Sequence, residues 1–443
     1  MPKAPTKRTL APPAPEVSLP FDAKDLRTRL AAWYAEHARA LPWRNIHDPY
    51  ATWLSEIMLQ QTRVATVLER YGLFLQRFPT LQSLAKAQES QVLALWSGLG
   101  YYRRARMLHR GAQFVVRELN GQLPRTAAEL RTLPGIGDYT GAAIASIAFG
   151  ESVAVLDGNV ERVLLRLLGA AAEGSPQTGA PLPTLNRTAL TRIAQQLVPP
   201  AARSSKAKSA KAKPASAHAK TTTANPPGDH NQAMMELGAT ICLPRAPLCL
   251  QCPVVELCRT RGEHPTADRA AQHSRVVAHL LAVRKRGTRT EVLLQRRPAT
   301  ASLMPNMLEL PPLPLEAVEG REPVLRLRHA ITTTNYYVQI YASGAPGLQV
   351  SPSPEEDDAP APPRRTAEDD EDYDAVFTAD PAPTPTPTSP SADSAALLAA
   401  IPAAAADLEW VVATHLLQLP LTGLARKVLQ RLGVMQLPKL QIG

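Results

Sequence analysis

The stretch "LPGIGDYTGAAI", Leu133–Ile144, decides the fold. Leu-Pro-Gly-Ile-Gly makes a tight turn, and helical apolar spacing resumes directly after it. Glycine lets a backbone approach a ligand closely and turn its N–H groups outward, and a helix N-terminus adds positive potential. A turn of this kind between two helices grips a DNA phosphate without reading sequence. A bare Gly-x-Gly in a helical protein is commonly only a turn. The whole motif with a helix on each side assigns phosphate binding to Gly135, Ile136 and Gly137.

Outward from the turn, helical periodicity runs from about Asp22 to Pro199, in segments such as "AQESQVLALWSGL". Glycine and proline punctuate it, and no strand ladder is expected there. The chain carries a net charge of +10, unevenly spread. Glu355 to Asp374 holds ten acids and two arginines, a net of −8, so the remainder carries +18. A body that basic suits nucleic acid, although a lopsided soluble surface has the same composition. No apolar run reaches membrane-spanning length, so no membrane partner is expected. The N-terminus is basic and proline-rich without an apolar h-region and reads as a tail rather than a secretory signal. That predicts a cytosolic, reducing compartment.

All four cysteines fall between Cys242 and Cys258, as Cys242, Cys249, Cys252 and Cys258 in a C-x6-C-x2-C-x5-C pattern. A reducing compartment disfavours two disulfides. Spacing alone leaves a structural zinc and an iron–sulfur cluster comparable. After this loop, "RVVAHLLAV" and "TEVLLQRR" read as a hairpin around "RKRGTR", and "NYYVQIYA" as a further strand.

In "LSEIMLQQTR", helix geometry puts Trp53, Glu56, Gln60 and Arg63 on one face, with Leu59 beside Glu56. A carboxylate half-buried among apolar side chains has a raised pKa and becomes a proton donor near neutral pH. A surface Glu paired with an arginine is the plainer alternative. The second acid, Asp157 in "LDGNVERV", stands just before a helix that ends at Gly169, and Asp157 or Asn159 is a natural N-cap. A helix N-terminus favours the ionised form. One acid biased protonated and one ionised is the division of labour that glycoside-type cleavage needs. Glu56 would protonate a departing base, and Asp157 would stabilise the sugar cation.

These stretches, with "LPWRNIHDPYATWLSEIMLQQTRV", "GLGYYRRARML" and "NQAMMELGATIC", resemble the MutY-type adenine DNA glycosylases of the endonuclease III superfamily. The resemblance covers about Leu26 to Arg259 apart from the basic insert, and returns more weakly toward the C-terminus. It implies a multidomain chain: an all-α helix–hairpin–helix glycosylase domain with a [4Fe–4S] loop, then an α+β Nudix-like domain. The expected boundaries are a disordered tail over 1–21, the glycosylase domain over 22–237 with a flexible basic insert at 200–228, the cluster loop over 238–262, and the Nudix-like domain over 270–443 with a disordered acidic, proline-rich insert at 352–402. The cysteine spacing is similar to the family's [4Fe–4S] loop, which chooses the cluster over zinc.

The resemblance further implies that Glu56, Asp157, Tyr139 and Asn159 are catalytic. It places Arg39, Trp43, Arg44, Leu59 and Gln232 in an adenine pocket and Gln61 and Tyr101 as wedges into the duplex. Core packing is the commoner fate of aromatics such as Trp43 and Tyr101. The implied partner is double-stranded DNA with adenine opposite 8-oxoguanine or guanine, bound by a monomer in the bacterial cytosol at the nucleoid. Endonuclease III-like enzymes cut the backbone through a lysine at the place of Tyr139. No lysine occurs between Lys86 and Lys206, which favours a monofunctional enzyme over that alternative. A non-enzymatic iron–sulfur DNA-binding protein would need neither acid. Thr332 takes the place of the family's lesion-reading serine, in "HAITTTNYYV" rather than Phe-Ser-His. The metal-binding box of nucleotide-diphosphate hydrolases is missing from the sequence.

Overall fold

The protein is described by a computed structural model covering residues 19–46, 48–174, 182–201, 225–264, 273–331, 334–343, 390–403, 405 and 407–435. Residues 1–18, most of both predicted inserts and Thr332 lie outside the described residues. The chain divides into two compact units, one formed by 1–86 and 107–269 and the other by 87–106 and 270–443.

In chain order the helices are α1 Ala23–His37, α2 Pro49–Leu59, α3 Val64–Arg77, α4 Leu81–Ala85, α5 Glu89–Trp96, α6 Arg103–Glu118, α7 Ala127–Leu130, α8 Asp138–Phe149, α9 Gly158–Leu168, α10 Arg187–Leu197 and α11 Pro226–Thr240. The first unit is helical, as periodicity predicts. Among the described residues it adds only a two-residue parallel pair, β1 Ala171–Ala172 with β2 Thr184–Leu185. Its centre is the packing of α2 on α8. Every residue of α2 from Tyr50 to Met58 is buried, as is Thr140–Ile147 of α8. A helix apolar on all sides is a core helix, so any carboxylate on it is dehydrated. A second core joins α1, α9, α10 and α11.

Two insert boundaries need correction. The basic insert was expected to reach 228, but α11 begins at Pro226. Asn225 caps it by accepting from the Gly228 N–H, and proline stands in the first turn, where a missing N–H costs nothing. The acidic insert was expected to reach 402, but Pro390–Ala399 is a helix, α12. Its Leu397 is buried against the sheet core, so a short apolar segment ends the polar run.

The second unit is built on a sheet with strands in the order β5-β4-β3-β8-β7. These are β3 His273–Arg286, β4 Arg289–Arg296, β5 Leu308–Glu309, β7 Leu325–Ile331 and β8 Thr334–Ser343, with β6 Pro312–Leu313 on β3 and β9 Leu408–Val412 on β4. The predicted hairpin is the β3–β4 pair, closing at Arg286 opposite Arg289 with Gly287 at φ 62°. "NYYVQIYA" is β8, parallel to β3. The last helix is α13, Gly423–Arg431.

Sequence periodicity places 87–106 with the helical domain, but its contacts place it in the second unit. The Ser97 and Tyr102 hydroxyls both donate to the Leu421 carbonyl, at 2.9 and 3.0 Å. Arg106 donates to the Pro305 carbonyl at 2.7 Å.

Candidate active site

Glu56 lies on α2, which Asp48 starts by accepting the Tyr50 N–H and which ends at Leu59. The face predicted to run from Trp53 to Arg63 is therefore cut short. Gln60 is the C-cap and Arg63 the N-cap of α3. The Gln60 side chain instead donates to Thr140 Oγ1 at 3.0 Å, tying the end of α2 to α8. Gln61 follows at φ 53°, a left-handed conformation uncommon for a side chain of that kind.

Glu56 is deeper than expected, at 6% exposure. Burial pushes its carboxyl up to about 7, against a hydrogen bond from Tyr139 that acts to lower it, and the charge of Asp157 raises it further. The Tyr139 hydroxyl donates to Glu56 Oε2 at 2.8 Å and lies 3.4 Å from Met235 Sδ. Burial raises Tyr139 well above the ordinary phenol range, with Glu56 and Asp157 adding to it. The hydroxyl is therefore a fixed donor.

Asp157 is the N-cap of α9, as the sequence suggests. Its Oδ1 accepts the Val160 N–H at 2.7 Å and its Oδ2 accepts from Asn159 Nδ2 at 3.2 Å. Glu56, Tyr139, Asp157 and Asn159 thus form one cluster, with the Asp157 charge acting on both Glu56 and Tyr139.

Arg162 was missed. It donates from Nη2 to Asn159 Oδ1 at 2.9 Å and to the Gly238 carbonyl at 2.7 Å, and from Nε to the Cys242 carbonyl at 2.8 Å. One turn on, Arg166 donates to Cys242 Sγ at 3.4 Å and to the Leu243 carbonyl at 2.6 Å. The helix that Asp157 caps is thereby laced to the cysteine loop. The only signal in the sequence was a four-residue arginine spacing. Packing is close here, since a Cβ on Gly238 would sit 2.7 Å from Asn159 Cβ.

Arg39, Arg44 and Gln232 also come together. Arg44 stacks over the Tyr34 ring at 5.4 Å, and the Tyr34 hydroxyl donates to Gln232 Oε1 at 3.3 Å. Trp43 is 7% exposed and packs edge-on to Tyr71, so packing accounts for most of its surface. Leu59 is half-buried at the end of α2 and Gln61 is exposed. Tyr101, in the other unit, is half-exposed at φ 44°, with the Arg104 guanidinium 5.6 Å from its ring.

In the hairpin, Gly135 has φ 82°, and a Cβ there would lie 2.6 Å from Met107 Cβ. Both facts demand glycine. Gly137 caps α8 at φ −95° with open space around it, so neither its backbone nor its surroundings require glycine. Ile136 is buried and anchors the turn.

The four cysteines are partly buried and free of disulfides. Burial pushes the Cys252 thiol up to about 11, and the charges of Cys242, Cys258 and Cys249 add to it, so the four sulfurs are neighbours. Among the described residues no three His, Cys, Asp or Glu side chains close on a single-ion site. A multi-iron cluster held by four thiolates does not need that convergence. The soft donor set and the Arg166 N–H on Cys242 Sγ fit such a cluster. Among the described residues no helix is long and apolar enough to cross a membrane.

Residues 54–180, which hold both acids and the hairpin, match the family model of the HhH-GPD superfamily of base excision DNA repair proteins. Within that class, the adenine DNA glycosylase of Mycobacterium tuberculosis is 34% identical over 258 residues, which cover 58% of this chain and 74% of the relative. The chain belongs to the adenine DNA glycosylase family. The human adenine DNA glycosylase is 47% identical over 244 residues, covering 53% of this chain and 39% of the relative. The chain spans about two fifths of the length of the mammalian relatives it matches. A thermostable thymine-DNA glycosylase structure aligns at 27% identity with a TM-score of 0.43, over 54% of this chain and 96% of the other.

Proposed function

We propose that this chain excises adenine mispaired with 8-oxoguanine or guanine from duplex DNA, hydrolysing the N-glycosidic bond and leaving the backbone intact. The observation that carries this is the buried Glu56 carboxyl, held by the Tyr139 hydroxyl and under the influence of the Asp157 charge. With a carboxyl poised near pH 7, Glu56 keeps a proton to give to the leaving base. Asp157, fixed by the Val160 N–H and by Asn159, faces the positive charge that develops on the sugar as the bond breaks. Water then completes the hydrolysis. Tyr139 stands where a Schiff-base lysine would be needed for backbone cleavage.

The supporting parts keep their assigned roles. Gly135, Ile136 and Gly137 hold a phosphate, Gln61 and Tyr101 fill the gap left by the extruded base, and Arg39, Trp43, Arg44, Leu59 and Gln232 receive it. Cys242, Cys249, Cys252 and Cys258 would hold a [4Fe–4S] cluster, which when bound braces their loop. Residues 270–443 serve as the Nudix-like reader of 8-oxoguanine, with Thr332 as the lesion-facing hydroxyl.

The test is base release from duplexes carrying adenine opposite 8-oxoguanine, guanine or thymine, with and without alkaline workup, and with borohydride present. Strand breaks only after alkali and no trapped adduct are expected. An efficient borohydride-trapped adduct would replace this reading with the lyase alternative. No release from any duplex would leave a DNA-binding protein.

A further inference from the structure

Glu236 is absent from the sequence-derived site, yet it is the hub of the base pocket. It lies on α11, one turn after Gln232 and next to Met235, which touches the Tyr139 hydroxyl. Its side chain is 1% exposed. Its Oε1 accepts the Arg39 backbone N–H at 3.1 Å and Arg39 Nε at 2.7 Å. Its Oε2 accepts Arg39 Nη2 at 2.7 Å and Arg44 Nη2 at 2.6 Å. Arg44 closes the ring by donating from Nη1 to the Arg39 carbonyl at 3.0 Å. One buried carboxylate thus fixes both ends of the turn from Arg39 to Arg44.

The two arginines are not equivalent. Arg44 is 11% exposed, spends both terminal nitrogens on the turn and on Glu236, and stacks over Tyr34. Arg39 is 39% exposed and commits Nε and Nη2 to the carboxylate. Its Nη1 has no hydrogen-bond partner among the described residues, and a guanidinium fork held on one edge offers its other donors in a fixed plane.

We infer that Glu236 is a positioning residue that presents Arg39 to the extruded base, with Arg44 as the brace of the turn. This rests on the proposed reading that the site receives adenine. Glu236 itself has its acceptors filled by the arginines and acts on the base only through the turn they hold, with Arg39 as the group presented.

The experiment is a cycle of Glu236→Gln, Arg39→Ala and the double variant in the full-length, cluster-loaded protein. It is read by single-turnover adenine release, by affinity for a duplex with an abasic site, and by amide exchange over 38–44. Glu236→Gln keeps the shape and loses the charge. It should slow release at least tenfold, leave abasic-duplex affinity within twofold, and speed exchange over 38–44. Arg39→Ala should cost about tenfold alone but less than twofold in the Glu236→Gln background. Glu236→Asp, which restores the charge on a shorter stem, should recover part of the rate. Independent, multiplying effects would overturn the inference, as would unchanged exchange or a loss of abasic-duplex affinity matching the loss of rate. A wild-type protein that releases no adenine would fail the function reading. The exchange measurement would still decide whether Glu236 orders the turn.

Discussion

Glu56 and Glu236 occupy the same helical unit, at 6% and 1% exposure, and end at opposite sides of the ordinary carboxylate range. Burial pushes both up. At Glu56 the hydrogen-bonding counterweight is a neutral phenol, and the nearby charge is another acid, so the carboxyl rests at about 7. At Glu236 the hydrogen bonds from Arg39 and Arg44 overcome burial and hold it down at about 2. The residue type and the degree of burial are alike, so the partner decides the role. In the proposed reading the buried acid without a cation serves as proton donor, and the one locked between two guanidiniums serves as a strut.

The sharpest way to break this contrast is to remove each acid. Glu56→Gln should lower single-turnover base release by about 10³-fold, the scale of a lost general acid. Binding to an abasic duplex should stay within twofold. Activity near wild type would end the assignment.

Stability should move in opposite directions. Because the folded pKa of Glu56 lies above its unfolded value of 4.5, its contribution is fully present below pH 4.5 and is lost as pH rises through about 7. Glu56→Gln should therefore stabilise the protein at pH 8 by on the order of 3 kcal/mol and change little at pH 5. Glu236 runs the other way. Its contribution is present above the unfolded value of 4.5 and is lost as pH falls toward about 2. Glu236→Ala should cost roughly 3 kcal/mol at pH 7, because it leaves a buried guanidinium without its carboxylate. Denaturant unfolding at pH 5, 7 and 8 measures both, and changes of the same sign at pH 7 to 8 would dissolve the comparison.

A smaller effect is expected at Tyr139. Its hydrogen bond lowers the Glu56 pKa, so Tyr139→Phe should shift the alkaline limb of the pH–rate profile to higher pH. Its rate loss should be about tenfold or less, as for one lost hydrogen bond between neutral groups, worth roughly 0.5–1.5 kcal/mol. A downward shift would mean that the phenol does not act on Glu56.

The difference between the two acids also marks how far the sequence could be read. Glu56 and Asp157 were legible because each stands in a local pattern, one on an apolar helix and one before a capped helix. The hairpin was legible because its glycines are a local steric demand, real at Gly135 although not at Gly137. Glu236 was hidden, since nothing local in "NQAMMELGATIC" marks it and its partner Arg39 lies 197 residues away. Arg162 was hidden for the same reason, with Cys242 lying 80 residues further on. Helical period places Ala87–Arg106 with its neighbours in the chain, but the Ser97 and Tyr102 hydroxyls find their acceptor at Leu421. Periodicity reports which face is buried and not what covers it. The Glu56 face was misjudged at its end, because α2 stops at Leu59 where Gln60 turns to Thr140.

The most direct test of the central claim, that Glu56 is the buried proton donor, is the pH dependence of single-turnover adenine release from pH 5 to 9 in wild type and Glu56→Gln. The wild-type rate should hold at low pH and then fall about tenfold per pH unit above about 7, as the acid form is lost. The residual rate of the variant should lack that bend. A wild-type rate that stays level to pH 9, or a variant that keeps the same bend, would contradict the account.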